Sequence, residues 1–337
     1  MAATSGLMPR SVRTLRDACG VLLAWTLLCG SVHAVESPAY PTRPIRMVVP
    51  YVAGASFDTI ARILAQALSD RWNQQVITDN RPGASGIIGT ELVARAASDG
   101  HTLGLFGGNQ ALSMAVRTKL PWDLRTDFAA ITRVATLDNV IVVHPSLGVS
   151  TLRDLTALLR ASPGKYSYGS GGAGGDTHFA GALFSKAAGV DIVHVPYKGG
   201  GLAVTGLLGN EVQLMIVNMI SAEPQVRVGR LRGIAVAARE RSFLLPDVPT
   251  AAEAGLPGFE WAQWYGVFAP AKTPQAILTK LHAELARIVA LPETRTRLAS
   301  LGAKAVTEKP EDLERFVRES IDVNRRIARD AGITVSQ

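Results

Sequence analysis

The chain has 337 residues, 47% of them hydrophobic, with 35 Lys and Arg against 28 Asp and Glu; at that length roughly two well-buried cores are expected. The basic residues are scattered, with no basic run and no aromatic-interleaved stripe, which argues against a nucleic-acid partner. Both cysteines, Cys19 and Cys29, lie before residue 34, so a chain processed there keeps no disulfide, thiol nucleophile or thiolate metal site.

The first segment reads as an export signal. Arg10, Arg13 and Arg16 precede an apolar stretch from Val21 to Leu28, and Gly30-Ser31-Val32-His33-Ala34 supplies the small residues a signal peptidase needs. Residues 1–34 are expected to be a cleaved signal peptide and the mature protein to be periplasmic. The apolar core is well short of the roughly 20 residues of a membrane span, and no later stretch qualifies, so the mature chain is not expected to cross a membrane. Residues 35–337 keep 32 Lys and Arg and 27 Asp and Glu, a charge of +5. That mild positive field suits an anionic ligand or, more simply, an ordinary solvated surface.

From residue 44 onward short β-rich runs alternate with amphipathic stretches. Pro44–Pro50 reads as a strand, and Phe57–Trp72 as a helix with Ile60, Ile63, Leu64, Ala67 and Leu68 on one face. Gln75–Asp79 reads as a strand and Ile87–Ala96 as a helix. Thr102–Phe106, Asn139–His144, Tyr166–Gly169, Ile192–Val195, Val212–Val217 and Leu231–Ala237 continue the strand series, with helices near 151–160, 178–188 and 201–208 between them. Such alternation predicts an α/β fold of mainly parallel sheets flanked by helices. Pro274–Ala290, Pro292–Leu301 and Pro310–Ala331 read as three closing helices, each opened by a proline suited to a first turn. Val134–His144 and Trp261–Pro270 look like crossings between two lobes, one of residues 35–138 plus 265–337 and the other of residues 139–264.

Ligands of doubly wound sheets sit where strands end and helices begin, because helix N-termini offer unpaired N–H groups and partial positive charge. Two loops are built for this. In Pro50-Tyr51-Val52-Ala53-Gly54-Ala55-Ser56-Phe57-Asp58, Gly54 permits a tight turn and Ser56 or Asp58 can cap the helix; an ordinary strand-to-helix turn is the simpler alternative. Tyr168-Gly169-Ser170-Gly171-Gly172-Ala173-Gly174-Gly175-Asp176-Thr177-His178 has more glycine than a turn needs. Gly169, Gly171 and Gly174 also satisfy G-x-G-x-x-G, but the acid that should end the next strand is missing, since Asp191 precedes it; a nucleotide-dependent oxidoreductase is therefore a remote alternative. His178 is read as a helix-start residue packed on the turn. Tyr197-Lys198-Gly199-Gly200-Gly201 forms a third loop whose Tyr197 could meet a carboxylate, and Trp261 and Trp264 are read as core or hinge packing. There is no G-x-S-x-G elbow and no paired-histidine metal spacing, so no catalytic residue, metal or cofactor is expected.

In order along the chain, Tyr40-Pro41-Thr42-Arg43-Pro44-Ile45-Arg46, the Pro50–Asp58 loop, Asn80-Arg81-Pro82-Gly83-Ala84, Ser98-Asp99-Gly100-His101-Thr102-Leu103, Val195-Pro196-Tyr197-Lys198-Gly199 and Leu245-Pro246-Asp247-Val248-Pro249-Thr250 form a specific series. With them the chain resembles the Bug-type receptors of tripartite tricarboxylate transporters over nearly all its mature length. The resemblance implies a two-lobed periplasmic binding protein of the Venus-flytrap, type II-like class, a monomer without enzymatic activity. It further implies a small organic carboxylate held largely by backbone amides and waters, and integral-membrane transporter subunits as partners; a sensing module is the alternative role. The implied contacts fall on Tyr51, Gly54, Ala55 and Asp58 from one lobe and on Ser170, Gly171, Gly174 and Gly175 from the other. Gly108, Asn109 and Asn218 complete the pocket, and Ser56, Asp176 and Tyr197 are further candidates. Departures from the family pattern include Ala55 for a glycine, Gly175 for a serine, Leu202 for a proline and Val217 for an aspartate. They suggest a less polar far end and a plain or partly apolar carboxylate rather than an amino acid.

Overall fold

Hydrophobic runs become buried strands and periodic stripes become packed helices throughout residues 40–333, which together with Ala2 are described by a computed structural model. The expected signal peptide lies outside the described residues. From Pro41 onward the chain forms one compact unit. Its first part runs β1 (Ile45–Val49), α1 (Ser56–Trp72), β2 (Val76–Asn80), α2 (Ile87–Ala94), β3 (Thr102–Gly107) and α3 (Gly108–Val116). The run Ile-Arg-Met-Val-Val of β1 is buried apart from Arg46, as a central parallel strand covered on both faces should be. It pairs in parallel with β2 and β3. Ile60, Ala61, Leu64 and Leu68 form the fully buried stripe of α1.

The long strand β4 (Phe128–Val143) begins earlier than the predicted crossing and joins the two halves of the molecule. Its residues Phe128–Asp138 pair antiparallel with the returning strand β9 (Ala262–Pro270), which in turn pairs with β3. Its residues Asn139–Val143 pair antiparallel with β7 (Leu214–Asn218) and, on the other edge, Val140–Val143 with β8 (Arg232–Val236). A single backbone therefore belongs to two half-sheets, and the change of partners falls at Asp138 and Asn139. The second half-sheet extends to β5 (Ser167–Ser170) and β6 (Val193–Pro196), both running parallel to their neighbours. The pairing is thus parallel where helices connect neighbouring strands, as predicted, and antiparallel where the two crossing strands lie. A short strand β10 (Ala303–Ala305) adds to β4.

Helices α4 (Leu152–Ala161), α5 (Asp176–Ala188), α6 (Gly200–Leu208) and α7 (Met219–Arg227) flank the second half-sheet. The closing helices α8 (Gln275–Ala290), α9 (Pro292–Ala299) and α10 (Pro310–Asp330) return to the first. α10 buries Leu313, Val317, Ile321, Asn324 and Ala328 in a stripe of i, i+4 spacing. It packs on α3 and β4 and so braces the helix that carries Asn109. Two helices lacked a clear signal. α3 begins at Gly108, a poor helix former, and its start is secured by Gln110, whose Oε1 accepts the Gly107 N–H at 2.9 Å. α7 contains Pro224, a residue that normally ends a helix.

Gly107 lies where β3 meets β9, and a Cβ there would stand 2.2 Å from the Trp264 carbonyl oxygen. Its φ of −167° is extended and unstrained, so the constraint is steric. Gly107→Ala should lower stability by about 1–3 kcal/mol through forced separation of the strands. The urea midpoint measures this; an unchanged midpoint would show that the contact yields freely.

Candidate functional site

The loop after β1 is shaped by its own glycine and acid. Gly54 takes φ +81°, in the left-handed region that favours glycine. Its N–H donates to Asp58 Oδ2 at 2.8 Å, and Arg62 Nε donates to the same oxygen at 3.0 Å. Burial opposes ionisation of Asp58, but Arg62 and the Gly54 amide outweigh it and hold the carboxyl below its usual range. Asp58 Oδ1 is buried without a partner. The N-cap of α1 is Ala55, which makes no side-chain cap bond, so the first-turn amides have no capping oxygen of their own. Tyr51 packs against Phe57 with ring centroids 4.5 Å apart and planes tilted by 35°, and its hydroxyl accepts from Gln110 Nε2 at 3.2 Å. Burial pushes the phenol up to about 12, against the pull of Asn109 and Gln110.

The loop after β5 is more heavily bonded. Gly171 N–H donates to Thr177 Oγ1 at 2.9 Å, Gly172 N–H to Ser170 Oγ at 3.2 Å, Gly174 N–H to His178 Nδ1 at 3.0 Å and Gly175 N–H to the Gly172 carbonyl at 3.3 Å. These bonds fix the loop. The reason is local: Thr177 and His178 in the first turn of α5 reach back over a chain with no side chains in the way. The N-cap of α5 is Gly175, which again offers no side-chain cap.

The starts of α3 and α5 meet across the half-sheets. Asn109, in the first turn of α3, presents Oδ1 to the N–H of Asp176, the first residue of α5, at 3.1 Å. Asp176 Oδ1 accepts from Trp261 Nε1 at 2.8 Å, and its charge is felt by Tyr51 and Tyr265. Asn139, wholly buried where β4 changes partners, has neither amide atom at hydrogen-bond geometry, yet it lies near enough to favour the ionised carboxyl. Burial still dominates and pushes Asp176 up to about 6. The start of α5, whose first N–H is met by Asn109, thus lies beside a buried, easily protonated acid whose charge reaches Tyr51 and Tyr265 near the loop that opens α1. No cluster able to hold a metal occurs among the described residues.

A model of the tripartite tricarboxylate transporter family receptor matches residues 60–333. The chain belongs to that receptor family. Rpa4515 of R. palustris, solved with adipate, is 34% identical over 88% of this chain and 99% of its own, with a TM-score of 0.83. The periplasmic binding protein BugD is 31% identical over the same shares, with a TM-score of 0.80. MatC from Rhodopseudomonas palustris, with bound malate, is 30% identical over 86% of this chain and 99% of its own, with a TM-score of 0.77. The fold is accordingly the two-lobed one of periplasmic binding proteins, and the receptor is a Bug-type solute-binding protein.

In this receptor several candidate side chains are occupied by the protein. The Ser56 and Tyr265 hydroxyls share a hydrogen bond of 2.9 Å. Ser170 is fully buried beside His194. The Tyr197 hydroxyl donates to Glu211 Oε2 at 2.9 Å, and Asn218 caps α7 by accepting the Ser221 N–H at 3.1 Å. Gly108 sits beside Trp264. Val217 is buried in β7, and the charge of Asp176 reaches Tyr51 of the first loop. His178 packs on the turn as expected, and Trp261 and Trp264 pack in the interior. Missed were Asn139, the bond from Trp261 to Asp176 and the role of His194, which depend on contacts between distant parts of the chain. A separate surface groove of about 950 Å³, lined by Arg153, Arg160, Arg241, Asp247 and Glu253 among others, contains none of the loop residues. Arg241 there is paired with Glu253. No helix among the described residues is long and apolar enough to cross a membrane.

Because its carboxyl is raised, Asp176 favours folding while protonated. That contribution is complete below its ordinary value of 3.8 and is lost as pH rises through about 6. Asp176→Asn keeps an acceptor for Trp261 without the charge. It should raise stability at pH 8 by up to about 3 kcal/mol relative to its effect at pH 4. Chemical denaturation across that range measures it, and a pH-independent difference would contradict the assignment.

Proposed function

We propose that this receptor captures a small organic dicarboxylate in the periplasm, after export by the segment 1–34, and delivers it to integral-membrane transporter subunits without transforming it. Residues 35–138 with 265–337 form one lobe and residues 139–264 the other. The lobes close because a ligand touching both favours the closed state by its differential affinity. The observation that carries the reading is the pair of helices, α1 and α5, that begin at residues unable to cap them. It is supported by the Asn109 oxygen, which already accepts from the α5 start across the cleft. A ligand carboxylate has the same acceptor chemistry with a full charge, for which helix N-termini are suited. The adipate and malate held by relatives of this size and fold belong to the same class.

The contacts proposed are the amides of Gly54, Ala55 and Ser56 on one side and of Gly171, Gly174, Gly175 and Asp176 on the other, with Tyr51, Asp58, Gly108, Asn109, Ser170, Tyr197 and Asn218 lining or bracing them. The Gly171 and Gly175 amides exchange their internal bonds for ligand oxygens as the cleft closes, while the Gly174 N–H, shared with His178, holds the loop in shape. Asp176 already accepts from Trp261 and is pushed toward its neutral form, which makes it a poor counter-ion for an ammonium. Adipate or malate should therefore bind better than aspartate.

A thermal-shift and calorimetric panel of adipate, malate and aspartate tests this. A dicarboxylate at about 100 times its dissociation constant should add roughly 2.7 kcal/mol of stability. Gly175→Asp should weaken it at least tenfold by placing like charge beside the anion. Position 175 is the better probe, since a Cβ at Gly171 would strike the Gly200 amide nitrogen at 2.9 Å whereas one at Gly175 meets only an ordinary 3.4 Å contact. Tight aspartate binding would defeat the preference, and unaltered dicarboxylate binding in Gly175→Asp would show the site to be misplaced.

A further inference from the structure

The glycine loop after β5 has little to hold it by itself. Gly172 and Gly174 take φ of +144° and +73°, and glycine is the residue with most conformational freedom to lose on ordering. Directly beneath the loop, the imidazoles of His178 on α5 and His194 on β6 stack face to face, centroids 3.7 Å apart and tilted by 7°. Tyr168 on β5 continues the pile, 5.0 Å from His194 and 6.4 Å from His178, and its hydroxyl donates to the His178 carbonyl at 3.2 Å. The rings come together because β5 and β6 are parallel neighbours that place Tyr168 opposite His194.

Each ring holds one end of the loop. The Gly174 N–H donates to His178 Nδ1 at 3.0 Å, so that nitrogen carries no proton and the ring is neutral with its hydrogen on Nε2. His194 Nε2 lies 2.6 Å from Ser170 Oγ, and the same hydroxyl receives the Gly172 N–H at 3.2 Å and lies 3.2 Å from the Gly172 carbonyl oxygen. We propose that His178 and His194 act as a coupled pair of positioning residues for this loop, fixing the amides at 172 and 174 from below, so that the loop keeps its binding shape only while both rings are uncharged. This rests on the reading of the loop as one side of the carboxylate site.

A proton on His178 Nδ1 would set N–H against N–H and release Gly174. Charging either ring would also place a cation against its stacked neighbour. The ionisable groups on the elements packed around the pair are Asp176 and Lys186 on α5, Tyr168 on β5 and the charged side chains of α10, which packs on α5, while α3, α6 and β7 carry none. Asp176 is held by Trp261, and Lys186 is paired with Asp330 of α10 at 2.6 Å. The bonded ring nitrogens are thus answered by a hydroxyl and a peptide N–H, not by a carboxylate that would favour the charged form. Consistently, burial holds both histidines below their usual range, His194 at about 4 with repulsion from His178 adding to it.

The test is an NMR pH titration of the ligand-free protein, following the imidazole signals and the amides of Gly171–Gly175 from pH 8 to pH 4. Neither ring should titrate near the ordinary histidine value of about 6.5, and the Gly172 and Gly174 amides should move with the rings when they do. His178→Asn, whose amide oxygen can stand in for Nδ1 as acceptor, should keep the loop amides near their wild-type shifts and free Gly174 from the acid transition. His178→Phe, which keeps a ring but no acceptor, should shift those amides already at pH 8 and weaken adipate binding at least tenfold, more than His178→Asn does. Titration of either ring near 6.5 with motionless loop amides, or wild-type loop shifts in His178→Phe, would overturn the proposal. Should His178→Phe fail to fold, the wild-type titration and His178→Asn still decide. Absence of adipate binding to the wild type would count against the carboxylate reading alone, because the ligand-free titration judges the histidine pair independently.

Discussion

The architecture depends on one strand serving two sheets. The 16 residues of β4 pair first with β9 and β10 and then with β7 and β8. A continuous backbone ladder transmits position stiffly along itself, so the two half-sheets are joined at Asp138 and Asn139 without a loop to absorb displacement. β9 returns beside it through nine register positions, which makes the connection double. Helix starts on either side are thereby aimed at a common region, as strand ends of α/β sheets aim their loops.

What gathers in that region is a balance between openness and internal satisfaction. Ala55 and Gly175 leave α1 and α5 without side-chain caps, at a cost compared with Ser, Thr, Asp or Asn of roughly 1 kcal/mol at Ala55 and a few tenths at Gly175. Most of the glycine amides after β5, in contrast, find partners in Ser170, Thr177 and His178. Both loops thus offer donors through exchange of modest internal bonds, in the first those of Gly54 to Asp58 and of Ala55 to Val52, each worth about 1 kcal/mol net. Such exchange keeps the loop ordered before an anion arrives and limits the entropy to be lost on binding. Asp176, buried between Trp261, Asn139 and the tyrosines, adds a proton-sensitive element at the centre.

Much of the fold was legible because its signals are local. The buried run of β1, the stripe of α1 and the proline-opened helices α8 to α10 announce themselves in a few residues each. The two candidate loops were legible through their glycines and their place between strand and helix. What stayed hidden depends on tertiary pairing. Nothing near Asn109 shows that its amide meets Asp176, 67 residues later, or that Trp261 donates to the same acid from 85 residues away. His194 reads as an ordinary strand residue until β6 is laid beside β5. The hydroxyls of Ser56, Ser170 and Tyr197 were credible ligand groups by type, yet each finds a protein partner within 3 Å. Backbone donors exposed by the absence of a cap are easier to infer from sequence than the destination of a side chain.

The central claim is that helix starts from both halves share one anion, and an amide NMR titration with adipate at pH 7.5 addresses it most directly. Amides at 54–56 and at 171–176 should shift together along a single saturation curve, with Asn109 and Trp261 side-chain signals following. Shifts confined to one half, or centred on the groove at Arg153, Arg160 and Arg241, would contradict the account.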